Sequence, residues 1–225
     1  MTESISLVLP NIEEEGIFHV INESRKLFGK SLEIIVVDKS SLEYEKTLRK
    51  TGVTIIKQKD KGVENAVMEG LRAAQGDILL SIDADDTHEI AGLKKAKELI
   101  SAGKADMVMG NRMSGIQKNA MDNYIIFGNN ALSGMFSFLY GRRIHDILTG
   151  LFAMDRKAFE SIKNIEPYRI GIGFFAVELA KRGYRISEVD IKYYVRKQGR
   201  SKLAKSKLLW GLRMAWLMFI KKFSQ

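Results

Sequence analysis

The chain has 225 residues, 45% of them hydrophobic, enough for one large α/β domain with a sizeable core and too many for a disordered chain. It contains no cysteine, which excludes disulfides and thiolate metal sites, and its three histidines, His19, His88 and His145, lack zinc-enzyme spacing, setting aside zinc and Ser-His-Asp enzymes. The formal charge is +9, yet residues 191–225 carry ten Lys or Arg and no acid, so everything before them sums to −1 and the basic character belongs to the tail. Such a tail suits a polyanionic surface, whether nucleic acid, anionic lipid or a phosphorylated substrate.

The first ten residues lack the basic start and long apolar core of a signal peptide, which predicts a chain that stays in the cytoplasm. Residues 4–9 read as a strand ended by Pro10, and 13–27 as a helix with Ile17, Val20, Ile21 and Leu27 on one face. Residues 32–37 form a second buried strand ending in Asp38, 53–56 a third, and 62–74 a helix. The run from Ile78 to Ile82 then breaks into three carboxylates within four residues, Asp83, Asp85 and Asp86. Residues 90–100 are helical, and 106–110 make a short strand leading to Arg112. The apolar stretch 123–140 reads as a core helix. Residues 151–154 are strand-like, 174–182 helical, and 186–195 a strand in which Ile191, Tyr193 and Val195 alternate. Strands alternating with helices imply right-handed crossovers and a largely parallel sheet, with Pro10, Asp38 and Asp83 at carboxyl ends of strands around one crevice.

The segment Leu208 to Ile220 has an apolar centre flanked by lysines; as a helix it is about 20 Å long, short of the roughly 30 Å core of a bilayer. Trp210, Met214, Trp216, Met218 and Phe219 suit a helix lying in the membrane interface, the alternative being a helix docked on the domain or a partner. The expected division is therefore residues 1–204 as one catalytic domain and 205–225 as a basic amphipathic interfacial helix.

Two like charges at a strand end need a cation, a raised pKa or open water, the plain alternative being a solvated acidic turn. A carboxylate pair facing basic residues meets the needs of transfer from a nucleoside diphosphate-sugar, with a divalent cation on the Asp residues and Arg or Lys on the other side of the diphosphate.

The ordered set Leu9-Pro10 with Glu14, Val36-Val37-Asp38, Gly62-x-x-x-Ala66-x-x-x-Gly70, Asp83-Ala84-Asp85, Gly110-x-Arg112, Asp146-x-x-x-Gly150 and Arg196-x-x-Gly199-x-Ser201-Lys202-Leu203 resembles family 2 glycosyltransferases, most closely the dolichol-phosphate mannose synthase or polyprenyl-phosphate glycosyltransferase branch. The resemblance implies an α/β fold of the GT-A (Rossmann-like) kind, a mixed, mainly parallel sheet flanked by helices, with a C-terminal amphipathic helix. It implies an inverting hexosyltransferase that moves a mannose- or glucose-type sugar from a nucleoside diphosphate to a polyprenyl or dolichyl phosphate at the cytosolic membrane face. It also implies dependence on Mg2+ or Mn2+. Asp85, Arg112, Arg196 and Lys202 are the catalytic candidates; Pro10, Ile12, Glu14, Val37, Asp38, Asp83, Ala84 and Ser201 the substrate-binding ones; and Asp83, Asp85 and Thr87 the metal ligands. The chain departs from the family pattern mostly in the nucleoside half. Glu13 stands for an Asn, Ile12 for an aromatic, Asp38-Lys39 for an acidic pair, Gly62-Val63-Glu64 for Gly-Leu-Gly, and Thr87 for a Gln or Ser-like ligand.

Residues 140–200 contain no Glu-Asp pair and no Gln-x-x-Arg-Trp motif to supply a general base, and a lipid monophosphate, already anionic, needs none. Asp146 is the base candidate for a hydroxyl acceptor; otherwise it orients Arg112 or caps the next element. Three other readings compete. Asp83-Ala84-Asp85-Asp86-Thr87 matches the Asp-x-Asp-x-Thr of haloacid dehalogenase-type phosphatases, with Asp83 as nucleophile and Asp85 as acid/base. A catalytically degenerate glycosyltransferase-like protein is the second. A nucleic-acid binder explains the tail but leaves the strand-end carboxylates without a role, so no nucleic acid is expected.

Overall fold

The computed structural model describes residues 3–167, 171–197 and 207–223. Strands β1 (Ile5–Asn11), β2 (Glu33–Asp38), β3 (Thr54–Lys57), β4 (Ile78–Ser81), β5 (Met107–Asn111), β6 (Phe152–Asp155) and β7 (Ile186–Asp190) form one sheet in the order β3-β2-β1-β4-β6-β5-β7. Every pairing is parallel except those of β6, which runs antiparallel to both β4 and β5. Helices α1 (Ile17–Phe28), α2 (Leu42–Arg49), α3 (Val63–Ala73), α4 (Ala91–Ser101), α5 (Asn123–Tyr140), α6 (Arg156–Glu160), α7 (Gly173–Lys181) and α8 (Lys207–Phe223) flank it. This is the expected mixed, mainly parallel α/β architecture.

The period-two alternation of the strands builds two apolar layers. Val8, Ile35, Val37 and Leu79 face α3, α5 and α7, packing with Leu71, Phe136 and Phe175, while Leu7, Leu9, Ile34, Val36 and Leu80 meet Ile17, Val20 and Ile21 of α1 and Leu93 and Ala96 of α4. The row Gly62, Ala66, Gly70 on α3 has a steric reason. A Cβ at Gly70 would lie 2.3 Å from Val8 Cγ1, so only glycine lets α3 rest this closely on β1 and β2.

Five elements differ from expectation. Pro10 lies inside β1, in register with Val37, rather than ending it. Strand residues alternate sides, and Asn11 turns its carbonyl to Lys39 after β2, so the N–H that Pro10 lacks faces the β4 side, where pairing stopped at Val8 with Ser81. The α1 helix begins at Ile17 because residues 12–16 form a loop, with Glu13 at φ 49°. Helices α2 and α6 were not anticipated: only Leu48 of α2 is buried, and α6 is five residues long. β7 stops at Asp190, and the alternating Ile191 to Val195 form a strap, with Tyr193 bridging His88 and Ile116.

The last helix, α8, is docked by one face. Met214 and Met218 are fully buried beside α5 and α7, and the Tyr140 hydroxyl donates to the Met218 carbonyl at 2.9 Å. Leu212, Trp216, Phe219 and Phe223 face solvent. No described helix is long and apolar enough to cross a membrane.

Candidate active site

The carboxyl ends of β1, β2, β4 and β5, together with the strap after β7, surround one cleft. Past Ser81 the strand geometry lapses, yet Asp83 and Asp85 remain close enough to influence each other's ionisation. Burial and then the charge of Asp85 push Asp83 up to about 7, opposed by Arg112 and Arg196. The Asp83 side chain keeps 34% of its surface open, so water screens part of that rise. Burial works against ionising Asp85 too, but His88, Arg196 and Thr87 outweigh it and hold its carboxyl below the usual range. Gly150 gives Asp83 its place, since a Cβ there would lie 2.3 Å from Asp83 Oδ1. Gly16 does the same for the next turn, a Cβ there falling 2.7 Å from the Asp85 carbonyl carbon. Asp86 takes a left-handed backbone, φ 59°, that Asp tolerates better than most residues.

Cations close over these acids. The Arg196 guanidinium donates to Asp85 Oδ2 and lies 3.5 Å from Glu14 Oε2, while Lys197 Nζ reaches Asp86 at 3.1 Å. On the β5 side Arg112 is locked by Asp146: Nε to Oδ2 at 2.6 Å, a terminal nitrogen to Oδ1 at 2.8 Å, and its own backbone N–H to Oδ2 at 3.0 Å. Both side chains are nearly sealed, 9% and 0% exposed. Burial alone would lower the Arg112 pKa, but the Asp146 carboxylate more than reverses it and holds the guanidinium charged. Of the roles considered for Asp146, these bonds match the one of orienting Arg112.

Tyr193 ties the two halves together. Its ring lies 5.2 Å from the Arg112 guanidinium and meets His88 edge-on at 5.2 Å. His88 is buried, its Nδ1 3.3 Å from the Thr87 hydroxyl and 3.9 Å from Asp83; burial first, then Arg112, depress its pKa to about 4 and keep it neutral. Thr87, expected to ligate a metal, is buried, and its hydroxyl donates to Asp85 Oδ1 at 2.7 Å.

At the β1 and β2 ends, Asp38 accepts from Asn11 Nδ2 at 2.6 Å and from the Ser40 hydroxyl at 2.6 Å, and Tyr44 donates to the Glu14 carbonyl. Pro10 is half-buried above them and Ile12 is exposed. Glu13 suits its left-handed conformation less well than the Asn of the family pattern, and its carboxylate accepts from Ser41 N–H in partial compensation. Two expected substrate-binding side chains do not face the cleft. Val37, within β2, points to the α3 side and packs under Gly70, and Ala84 lies in the layer beneath α1 and α4. Ser201 and Lys202 lie outside the described residues. Asn11, Ser40, His88, Tyr193 and Gly16 were not anticipated; Asn11, Ser40 and His88 lie within two residues of Pro10, Asp38 and Thr87, while Gly16 and Tyr193 carried no such signal. A recess of about 580 Å³ lined by Asn111, Ser114, Arg143, His145, Glu188 and Asp190 adjoins the Arg112 end.

A pair of carboxylates offers hard oxygen ligands for a cation of the Mg2+ or Mn2+ type, and flanking guanidiniums suit a diphosphate. Among the described residues no group of three or more His, Cys, Asp or Glu could hold a metal ion, so a cation there would complete its shell with substrate oxygens and water.

These features define an α/β protein with an acid-and-arginine cleft at the strand ends, a class the comparisons narrow. Residues 6–163 match the description "Glycosyl transferase family 2". The chain belongs to that family. It is 32% identical over 193 residues to a dolichyl-phosphate hexose transferase of Haloferax volcanii, covering 85% of this chain and 82% of that one. A dolichol-phosphate mannosyltransferase of Pyrococcus furiosus is 29% identical over 215 residues, covering 88% of this chain, which spans only 59% of that relative's length. The fold is also that of glucosyl-3-phosphoglycerate synthase from Mycobacterium tuberculosis, solved with Mn2+ and uridine-diphosphate-glucose: TM-score 0.71, 17% identity, covering 98% of this chain and 79% of that one. The haloacid dehalogenase-type alternative finds no support, for its motif follows the fourth strand of a glycosyltransferase fold.

Proposed function

We propose that the chain transfers a hexose, with inversion, from a nucleoside diphosphate-sugar to a polyprenyl phosphate of the dolichyl type at an anionic membrane surface. The observation that carries this reading is the pairing of Asp83 and Asp85 with Arg112 and Arg196 across one cleft, beside an Asp146 already committed to Arg112. Asp146, held by three hydrogen bonds, is poorly placed to remove a proton, and a phosphate acceptor requires no base. In the transfer, a phosphate oxygen of the lipid forms its bond to the sugar C1 as the bond from C1 to the diphosphate breaks, and the nucleoside diphosphate leaves with the electron pair. Arg112 and Arg196 would hold the phosphates in line, with Ser201 and Lys202 joining them. Asp83 and Asp85 would hold Mg2+ or Mn2+, which supplies charge stabilisation for the departing diphosphate. Thr87 would steady Asp85, while Asp38, Asn11, Pro10, Ile12 and Glu14 would shape the nucleoside end. The named activities of the Haloferax and Pyrococcus relatives favour a dolichyl phosphate acceptor and a hexose.

Nucleoside diphosphate release from GDP- and UDP-hexoses, with and without a short polyprenyl phosphate, tests the proposal in Mg2+ or Mn2+. Asp85→Asn should abolish turnover while the variant still folds, as circular dichroism would show. Full turnover by that variant would sink the assignment.

A further inference from the structure

Strand β7 is an edge of the sheet, and acids on an edge strand are ordinarily solvated charges that keep the edge from pairing with another chain. Glu188 does not fit that description. Its side chain is only 9% exposed. Its Oε1 accepts from the backbone N–H groups of His145 and Asp146, both at 2.9 Å, and its Oε2 accepts from the His145 N–H at 2.9 Å and pairs with His145 Nδ1 at 2.8 Å. Asp190, two residues on and therefore on the same face, lines the same recess. Its Oδ1 accepts from Asn111 Nδ2 at 2.8 Å, and Asn111 Oδ1 accepts from the Met113 N–H at 3.0 Å.

The two acids thus hold the Arg112–Asp146 pair from both ends. Glu188 lies opposite Met109 of β5, and Asp190 opposite Asn111, so the strand that leads to Arg112 is paired with the strand that grips Asp146. Glu188 fixes the backbone of Asp146, while Asp190 fixes the Asn111 side chain that spans the backbone around Arg112. Helix α5 holds the same loop from its other flank, Asn129 Nδ2 donating to the His145 carbonyl at 3.0 Å and Ser133 Oγ accepting from the Ile147 N–H at 3.0 Å. Those bonds secure the general course of the loop. What Glu188 adds is a hold on the Asp146 amide itself.

We propose that Glu188 is a positioning residue for the transfer reaction: by gripping the His145 and Asp146 amides it sets the place of the Asp146 carboxylate and, through it, the aim of the Arg112 guanidinium. This rests on the reading of Arg112 as a group that holds the donor phosphates. The side-chain and backbone N–H groups of Arg112 that bond to Asp146 move with that carboxylate, and a displacement of about 1 Å in a group that orients substrate can cost about a hundredfold in rate. The grip needs an acceptor and not a charge. One oxygen, Oε1, meets both backbone amides, and in a glutamine the amide nitrogen standing for Oε2 would face His145 Nδ1, which accepts in its other tautomer.

Steady-state turnover of Glu188→Ala, Glu188→Asp and Glu188→Gln with a nucleoside diphosphate-hexose and a short polyprenyl phosphate tests the proposal, together with the proton–nitrogen NMR signal of the Arg112 Nε–H, assigned by its loss in Arg112→Lys. Glu188→Ala should lower kcat and kcat/KM together by at least about tenfold and shift the Arg112 signal, whereas Glu188→Gln should keep both close to wild type. Where Glu188→Ala does not fold, Glu188→Asp, one methylene too short to reach both amides, should show the same two losses. A folded Glu188→Ala or Glu188→Asp with wild-type turnover and an unmoved Arg112 signal overturns the proposal. Loss of turnover in Glu188→Gln equal to that in Glu188→Ala also overturns it, since the carboxylate charge rather than the grip would then be at work. A wild-type chain without turnover counts against the proposed activity alone, and the Arg112 signal in Glu188→Ala and Glu188→Gln still decides whether Glu188 sets Arg112.

Discussion

Replacing Asp146 with Asn should unfold the protein more easily before it does anything to chemistry. The substitution keeps the shape of the side chain and removes its charge, at a position 0% exposed that receives three hydrogen bonds from Arg112. A buried cation stripped of its partner costs about 3–5 kcal/mol, and either orientation of the new amide would also set its NH2 against a guanidinium donor. Asp83 is a second anion near Arg112, which places the expected loss near the lower end, about 3 kcal/mol. For a chain of this length that is a fall in Tm of roughly 6–12 °C. Urea unfolding followed by circular dichroism measures it. The double variant Arg112→Met, Asp146→Leu should recover most of the stability, because it removes both charges together. An Asp146→Asn protein within about 1 kcal/mol of wild type, yet unable to turn over, would refute the reasoning and return Asp146 to the role of general base.

Other consequences are equally open to measurement. In metal-free buffer Asp83 holds its proton more tightly folded, at about 7, than at its ordinary 3.8, so the folded state loses stability as pH rises between those values. Asp83→Asn, which cannot ionise, should therefore gain on wild type across that window and keep a constant advantage above it; parallel stability curves would contradict the sign. Gly150→Ala places a methyl 2.3 Å from Asp83 Oδ1 and should weaken Mn2+ binding at least about tenfold by calorimetry, an unchanged affinity showing that Asp83 is not a ligand. Met214→Ala, at a fully buried position of α8, should cost about 2–5 kcal/mol, whereas a helix only loosely attached to the domain would leave stability unmoved.

The fold was legible wherever a pattern had one physical cause. Ile34 to Val37 and Ile78 to Leu80 are continuous apolar runs because helices cover both faces of the sheet. The misses came where two causes give one pattern. Apolar residues all around α5 are consistent with a fully buried helix and with a helix open on one side, and periodicity cannot separate them; burial shows Tyr124, Phe127 and Phe138 exposed. Alternation from Ile186 to Val195 is the signature of a strand, yet β5 can pair only as far as Asn111, opposite Asp190, so the remaining residues become a strap. Helix α2 offers too little buried surface to have announced itself, its support being i,i+4 pairing of Glu45 with Arg49.

In the cleft, the residues named from motif position were those at strand ends, and alternation decides which of them serve. Asp38 and its neighbour Val37 are one residue apart and therefore point opposite ways, so a motif containing both nominates a core side chain along with a carboxylate at the cleft. Arg196 was nominated as a phosphate contact, and its present partner is Asp85. The two roles are compatible because they use the same charge. Glu14, Asp85 and Asp83 would repel one another without a cation among them, and the strap that begins at Ile191 delivers a guanidinium to that spot. A divalent cation held by the Asp pair would take over that neutralisation and would leave Arg196 available to a diphosphate. On this argument the acids and Arg196 are best treated as one unit, and changing either alone should disturb metal and donor binding together.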